Sequence, residues 1–243
     1  MSKPKKSLSR TKKDVLIVLV KYPRLGQAKT RLITPALNDE NVCHVCELFL
    51  VDLLKRFTLR KELRIIILGA RGDTEDEFCG LLEKYGVTGK NIEVFLPGTG
   101  SLEGDMAKGY EHALQKSKKA ILTAPDIPYL PVETVNGLRE ALNTHDFVFC
   151  PNIDGTALPH GMKKAVDLFS GKTTRSIDWL RQLFRRIKEE NLSYRMFPPI
   201  FDIDRFEDLV MFYNWQLFLE DSGESELLCP ETLEFLKSIM PNA

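Results

Sequence analysis

The run Lys21-Tyr22-Pro23-Arg24-Leu25-Gly26-Gln27-Ala28-Lys29-Thr30-Arg31-Leu32 gathers Lys21, Arg24, Lys29 and Arg31 around a glycine, directly after the apolar segment Val15 to Val20. Ammonium groups meet phosphate as point charges and guanidinium groups as planar forks, so this set suits a pyrophosphate. A solvated basic turn is the competing reading of the same residues. Two carboxylate motifs follow. Leu122-Thr123-Ala124-Pro125-Asp126-Ile127-Pro128 sets Asp126 beyond a short apolar strand and ahead of a helix opened by Pro131. There it either holds a divalent cation or caps the helix. Phe201-Asp202-Ile203-Asp204 spaces two carboxylates at i, i+2. In extended chain both point to one side and can face one cation, although Asp204 is also placed to cap the next helix. Mg²⁺ takes one or two protein carboxylates and completes its shell with phosphate and water oxygens, so Asp126 with Asp204 suffices.

These groups need a scaffold that brings them to one edge. Val15–Val20 and Leu63–Leu68 are near-continuous aliphatic runs, as in strands covered on both faces. Ile92–Leu96, Ala120–Thr123, Phe147–Cys150 and Ser193–Phe197 are weaker strand candidates. Helices are expected from Asn38 through Leu54, Asp73 through Tyr85, Pro131 through Leu142, Ser176 through Glu189 and Arg205 through Leu219, with a last short one after the acidic stretch Glu220–Glu226. Between residue 150 and Ser176 the pattern reads as loop. Alternating strands and helices predict a three-layer α/β/α fold with a mostly parallel central sheet, whose carboxyl edge is where such folds bind ligands.

Other phosphate motifs fail. The Gly171-Lys172-Thr173 triplet has Val166 where a P-loop needs glycine, and Gly98, Gly100 and Gly104 have the wrong spacing for a dinucleotide fingerprint. Cys43-His44-Val45-Cys46 lies within a helical pattern with no second cysteine pair, so its thiols read as core-facing. The aromatic stretch Phe212, Tyr213, Trp215 and Phe218 reads as core or as the contact of a homodimer. Arg181, Arg185, Arg186 and Lys188 read as a solvated helix face.

The chain of 243 residues balances 34 Lys plus Arg against 34 Asp plus Glu, leaving no net field to recruit nucleic acid. Five scattered cysteines suit a reducing compartment, and the expected location is cytoplasmic. Residues 1–13 form a basic segment with Leu8 as its one sizeable apolar residue, expected to be a frayed, disordered tail rather than a signal peptide. Residues 14–243 are expected to form one domain without a membrane span.

The motifs together carry a resemblance. Lys21-Tyr22-Pro23-x-x-Gly26-x-x-Lys29-Thr30-Arg31-Leu32-x-x-Pro35-x-Leu37 closely resembles the opening signature of a prokaryotic family of uncharacterised glycosyltransferase-like proteins. That family has the nucleotide-diphospho-sugar transferase (GT-A) fold and is similar to the phospholactate guanylyltransferases. Further segments resemble the family in order: Gly100-Ser101-Leu102 with Met106, Asp126-Ile127-Pro128-Tyr129-Leu130, Asp154-Gly155, and Asp202-Ile203-Asp204 with Glu207-Asp208-Leu209, the last matching its Asp-Val-Asp-Thr-Pro-Glu-Asp-Leu. The resemblance implies that Lys29 and Arg31, beside Lys21, contact the phosphates of a nucleotide or nucleotide-sugar donor. It implies Asp126 and Asp204 as ligands of a divalent metal, Mg²⁺ or Mn²⁺, and base or ribose contacts around Gly100 and Ser101. It implies transfer to a small-molecule or sugar acceptor, glycosyl transfer first and nucleotidyl transfer as the alternative. Departures gather on the acceptor side. The family's Asp-Gly-Gly-Tyr is Asp154-Gly155-Thr156-Ala157 here, Ser101 stands for Asp, Glu103 for Gly and Pro125 for Ser. Asp154 remains the best general base, His160 is an outside candidate otherwise read as a surface histidine in a turn, and a fold kept without turnover is the third reading.

Overall fold

A computed structural model describes residues 13–35, 37–169 and 178–240. Seven strands, β1 (Asp14–Val20), β2 (Leu63–Gly69), β3 (Ile92–Phe95), β4 (Ala120–Thr123), β5 (Phe147–Pro151), β6 (Ala157–Met162) and β7 (Tyr194–Met196), form one sheet in the order β3-β2-β1-β4-β6-β5-β7. All neighbours run parallel except β6, which is antiparallel to both β4 and β5. Seven helices join them: α1 (Asp39–Thr58), α2 (Glu75–Lys84), α3 (Leu102–Lys116), α4 (Val132–Ala141), α5 (Trp179–Glu189), α6 (Phe206–Ser222) and α7 (Pro230–Ile239).

The strand side chains alternate between two cores. On β1, Leu16, Val18 and Val20 pack with α1, α2, α4, α6 and α7, whereas Val15 and Ile17 pack with α3 and α5. The expected three layers follow directly, and Asn38 caps α1 by accepting the Asn41 N–H at 2.9 Å. Two local expectations are corrected, and one helix is added. Residues 157–162 are a central strand rather than loop; Pro159 and Gly161, which weaken strands, hid it. Helix α3 begins inside the glycine-rich stretch: Ser101 caps it, and Gly109 lets it close on β2, where a Cβ would lie 2.6 Å from Leu68 Cδ2. Asp73 does not open α2. Thr74 does, in a capping box with Glu77, while Asp73 is buried and accepts from the Tyr22 and Ala70 N–H groups and from Arg24. The expected start of α5 at Ser176, the Gly171-Lys172-Thr173 triplet and the basic segment up to residue 12 lie outside the described residues. No helix among the described residues is long and apolar enough to cross a membrane.

Candidate functional site

Strand β1 connects onward to β2 on one side while β4 pairs on its other side, with Val18 opposite Thr123. The crevice beyond these two strand ends is the topological switch point of the sheet. The loop after β1 enters it from a fixed base. Arg24 is held by Asp73 and Glu77, both at 2.7 Å, and so is spent on anchoring the loop rather than free for a ligand. Gly26, at φ 70°, turns the chain and donates its N–H to Asp39 at 2.6 Å. Lys29 then adopts left-handed backbone, φ 32° and ψ 52°, before a 3₁₀ turn, Thr30–Leu32, whose Leu32 is fully buried. A lysine in this region carries a backbone cost of about 1–2 kcal/mol, characteristic of functional sites.

That kink delivers the Lys29 ammonium to two carboxylates. Nζ lies 3.2 Å from Asp126 Oδ2, after β4, and 2.5 Å from Asp204 Oδ1, ahead of α6. The two carboxylate segments are tied together: the Ile203 N–H donates to the Asp126 carbonyl at 2.9 Å, and the Tyr129 hydroxyl donates to the Phe201 carbonyl at 2.6 Å. Ile203 is fully buried in the core, so its neighbours Asp202 and Asp204 flank it on the opposite side. Asp126, Asp202 and Asp204 each offer an oxygen within 4.8 Å of the others. Asp126 Oδ1 is buried with no hydrogen-bond partner, as expected of an atom reserved for a cation. Three carboxylates converging with one orphaned oxygen fit a hard divalent cation such as Mg²⁺ or Mn²⁺.

Charge at this spot is tuned. Burial by itself would lower the Lys29 ammonium, but Asp126 and Asp204 outweigh it and raise its pKa. Burial, then the charges of Asp126, Asp154 and Asp204, push Asp202 up to about 7. A carboxyl raised in this way favours the fold while protonated. In the metal-free protein its contribution is full below the ordinary 3.8 and is lost as pH rises towards about 7. Cation binding needs the ionised form, so Mn²⁺ affinity is expected to fall about tenfold or more between about pH 7.5 and about pH 5.5. Calorimetric titration across that range checks this, and a flat profile removes Asp202 from the cation's surroundings.

Asp204 and Asp202 line a cleft of about 680 Å³ with Lys29, Arg31, Asp154, Arg205 and Asp208. Asp154, in the turn between β5 and β6, is exposed and its Oδ1 accepts from the Thr156 N–H at 2.8 Å and hydroxyl at 2.6 Å. Lys21 lines a second hollow of about 190 Å³ together with Tyr22, Lys29, Cys46 and Asp126. Burial pushes the Cys46 thiol up to about 12, so it is no nucleophile. Gly100 and Ser101 line neither space. Gly100, at φ 86°, turns beside Arg71, and Ser101 accepts the Gly104 N–H at 3.0 Å. His160 is not a surface turn residue. It is fully buried on β6, its Nδ1 2.7 Å from the Tyr110 hydroxyl, and it does not line the cleft.

No protein-family model matches the chain, and no curated relative matches it. Solved structures do. A protein from Desulfovibrio desulfuricans G20 assigned as a nucleotide-diphospho-sugar transferase superposes with a TM-score of 0.78 at 22% identity, covering 95% of this chain and 97% of that one. The 4-diphosphocytidyl-2C-methyl-D-erythritol synthase of Anaerococcus prevotii gives 0.55 at 17% identity over 84% of this chain and 99% of that one. A cytidylyltransferase from Leptospira borgpetersenii gives 0.54 at 14% identity over 96% and 98%. The chain therefore has the nucleotide-diphospho-sugar transferase fold.

Proposed function

We propose that this chain is a metal-dependent transferase that uses a nucleotide-activated donor, with glycosyl transfer from a nucleotide-diphospho-sugar as its reaction. The observation that carries the reading is the convergence of Asp126, Asp202 and Asp204 on one cationic position at the switch point of this fold. Asp126 and Asp204, with Asp202 beside them, would hold Mg²⁺ or Mn²⁺, which supplies charge neutralisation of the donor's phosphate oxygens when bound. Lys29 and Arg31, with Lys21 in the adjoining hollow, orient the donor phosphates and offset the negative charge that grows on them as the bond to the sugar breaks. Gly100 and Ser101, at the carboxyl edge beyond β3, stand towards the base and ribose. Asp154 faces the acceptor from the β5–β6 turn and takes the proton of its attacking hydroxyl.

Nucleotidyl transfer from a nucleoside triphosphate is the second reading, supported by Lys21, Lys29 and Arg31 spread along two adjoining hollows, charge suited to a longer phosphate chain. One panel separates them. Conversion of a sugar nucleotide to a nucleoside diphosphate in the presence of Mn²⁺ supports glycosyl transfer, and pyrophosphate released from a triphosphate supports nucleotidyl transfer. Thermal stabilisation by nucleotide and metal with no turnover across the panel supports a binding protein that has lost catalysis.

A further inference from the structure

The β7 end of the sheet carries a surface that the transferase reading leaves unused. Among the described residues β7 pairs with β5 alone and closes the strand order. On its flanks the Ser193 carbonyl accepts the Phe147 N–H at 3.0 Å and the Phe197 N–H donates to the Phe149 carbonyl at 2.8 Å. Backbone polar groups alternate in direction along a strand, so those of Tyr194 and Met196 point away from β5, with no hydrogen bond among the described residues. Both residues are open, 44% and 58% exposed. Such a row of free donors and acceptors is a template for another strand. The groove beside it, about 540 Å³, is lined by Arg181, Phe184, Arg185, Lys188 and Tyr194, three cations and no carboxylate. The cations recur at i, i+4 and i+7 and form one stripe of α5. Flanking carboxylates do not cancel them: Asp178 lies 3.4 Å from Arg181 and Glu189 3.8 Å from Arg186, while Arg185 and Lys188 have no ion pair among the described residues. The floor is apolar and braced. Tyr194 packs edge-on against Phe184 at 5.6 Å, and Phe184 against Phe149 at 5.5 Å. A solvated helix face accounts for the cations but not for the open strand edge beside them. A second copy is a poor occupant, because β7 against β7 sets two basic stripes side by side.

We propose that this edge docks an extended acidic segment of a partner protein, which joins the sheet beside β7 and sets its carboxylates against Arg185 and Lys188. Backbone pairing with Tyr194 and Met196 supplies the register, and charge-assisted hydrogen bonds from the stripe select an acidic segment over a basic one. The groove shares no lining residue with the cleft, so the proposal is independent of the transferase reading. It is tested on the full chain by fluorescence anisotropy with a labelled eight-residue peptide alternating glutamate and valine. Three controls at the same ionic strength are its lysine-for-glutamate counterpart, an alternately N-methylated acidic peptide that cannot pair as a strand, and an eight-nucleotide single-stranded DNA. The acidic peptide is expected to bind about tenfold or more tightly than each control and to slow amide hydrogen exchange at Tyr194 and Met196. Arg185→Glu with Lys188→Glu, both on the exposed face of α5, is expected to erase the preference for acidic over basic peptide. Met196→Pro, which removes an outward N–H and spares the β5 pairing, is expected to weaken the acidic peptide about tenfold, with circular dichroism confirming the fold of each variant. An acidic peptide that fails to bind or binds no better than the basic one, an N-methylated peptide that binds as tightly, or a preference that survives the double substitution overturns the proposal. Tighter binding of the DNA overturns it in favour of a nucleic-acid surface.

Discussion

Asp126→Ala is expected to lower the affinity for Mn²⁺ by about 100-fold or more and to abolish metal-dependent nucleotide binding, with the fold intact. Removing an outer-shell partner of a metal already costs about 10- to 100-fold, and a direct ligand costs more. The anchoring of this segment does not depend on the lost side chain. The Asp126 carbonyl still accepts the Ile203 N–H, and Tyr129 still clamps Phe201. Lys29 keeps Asp204 at 2.5 Å, so no buried cation is stranded. Titration calorimetry with Mn²⁺, alone and with a nucleoside diphosphate, reads the effect, while a circular dichroism melt confirms the fold. Metal-dependent nucleotide affinity that survives the substitution removes Asp126 from the site.

Lys29→Ala is expected to act with opposite signs on two ligands. Without nucleotide, the Lys29 ammonium sits against Asp126 Oδ2 and Asp204 Oδ1 and competes with a metal for the charge of the same two carboxylates. Removing it is expected to strengthen binding of bare Mn²⁺ by about tenfold, the worth of about 1.4 kcal/mol of lost competition. Binding of a nucleoside diphosphate is expected to weaken by about 10- to 100-fold, and that of the parent nucleoside to stay unchanged, because only the former presents oxygens to the ammonium. The metal-free variant leaves Asp126, Asp202 and Asp204 without their counter-charge. It is expected to lose about 1–3 kcal/mol near pH 8, less than a fully buried pair because the side chains are partly exposed, and to recover with Mn²⁺ or on acidification. Urea unfolding with and without the metal measures this. Parallel loss of affinity for cation and nucleotide would rule out the competition.

Sequence carried the parts of the fold whose burial is uniform. Strands β1 and β2 are covered on both faces, so Val15–Val20 and Leu63–Leu68 are unbroken aliphatic runs. Strand β6 is just as buried but carries Pro159, His160 and Gly161, residues whose local preferences argue against a central strand, and its pairing with β4 and β5 is wholly non-local. Helix α3 was hidden because Gly104 and Gly109 serve close packing against Ser101 and Leu68, a need visible only once the neighbours are in place. At the site, the spacing of Asp202 and Asp204 was legible from extended-chain geometry. What was not legible is that burial and three neighbouring carboxylates hold Asp202 near neutrality, or that Arg24 belongs to Asp73 and Glu77. Both depend on contacts between segments distant in sequence.

The reversed direction of β6 divides the protein's capacity to change. Because β6 runs against its neighbours, the β5–β6 connection is a tight turn at the ligand edge, and Asn152 to Thr156 belong to no helix. The connections leaving β1 and β2 run through crossover helices that form the core, so altering them disturbs packing. Among the described residues, the tip carrying Ile153 and Asp154 is tethered by its own hairpin and the Asn152–Ile200 bridge. Insertions, deletions and substitutions at Ile153, Asp154 and Gly155 leave the ladder and the Asn152–Ile200 bridge intact, so this edge of the cleft can be rewritten without disturbing the crossover side of the sheet.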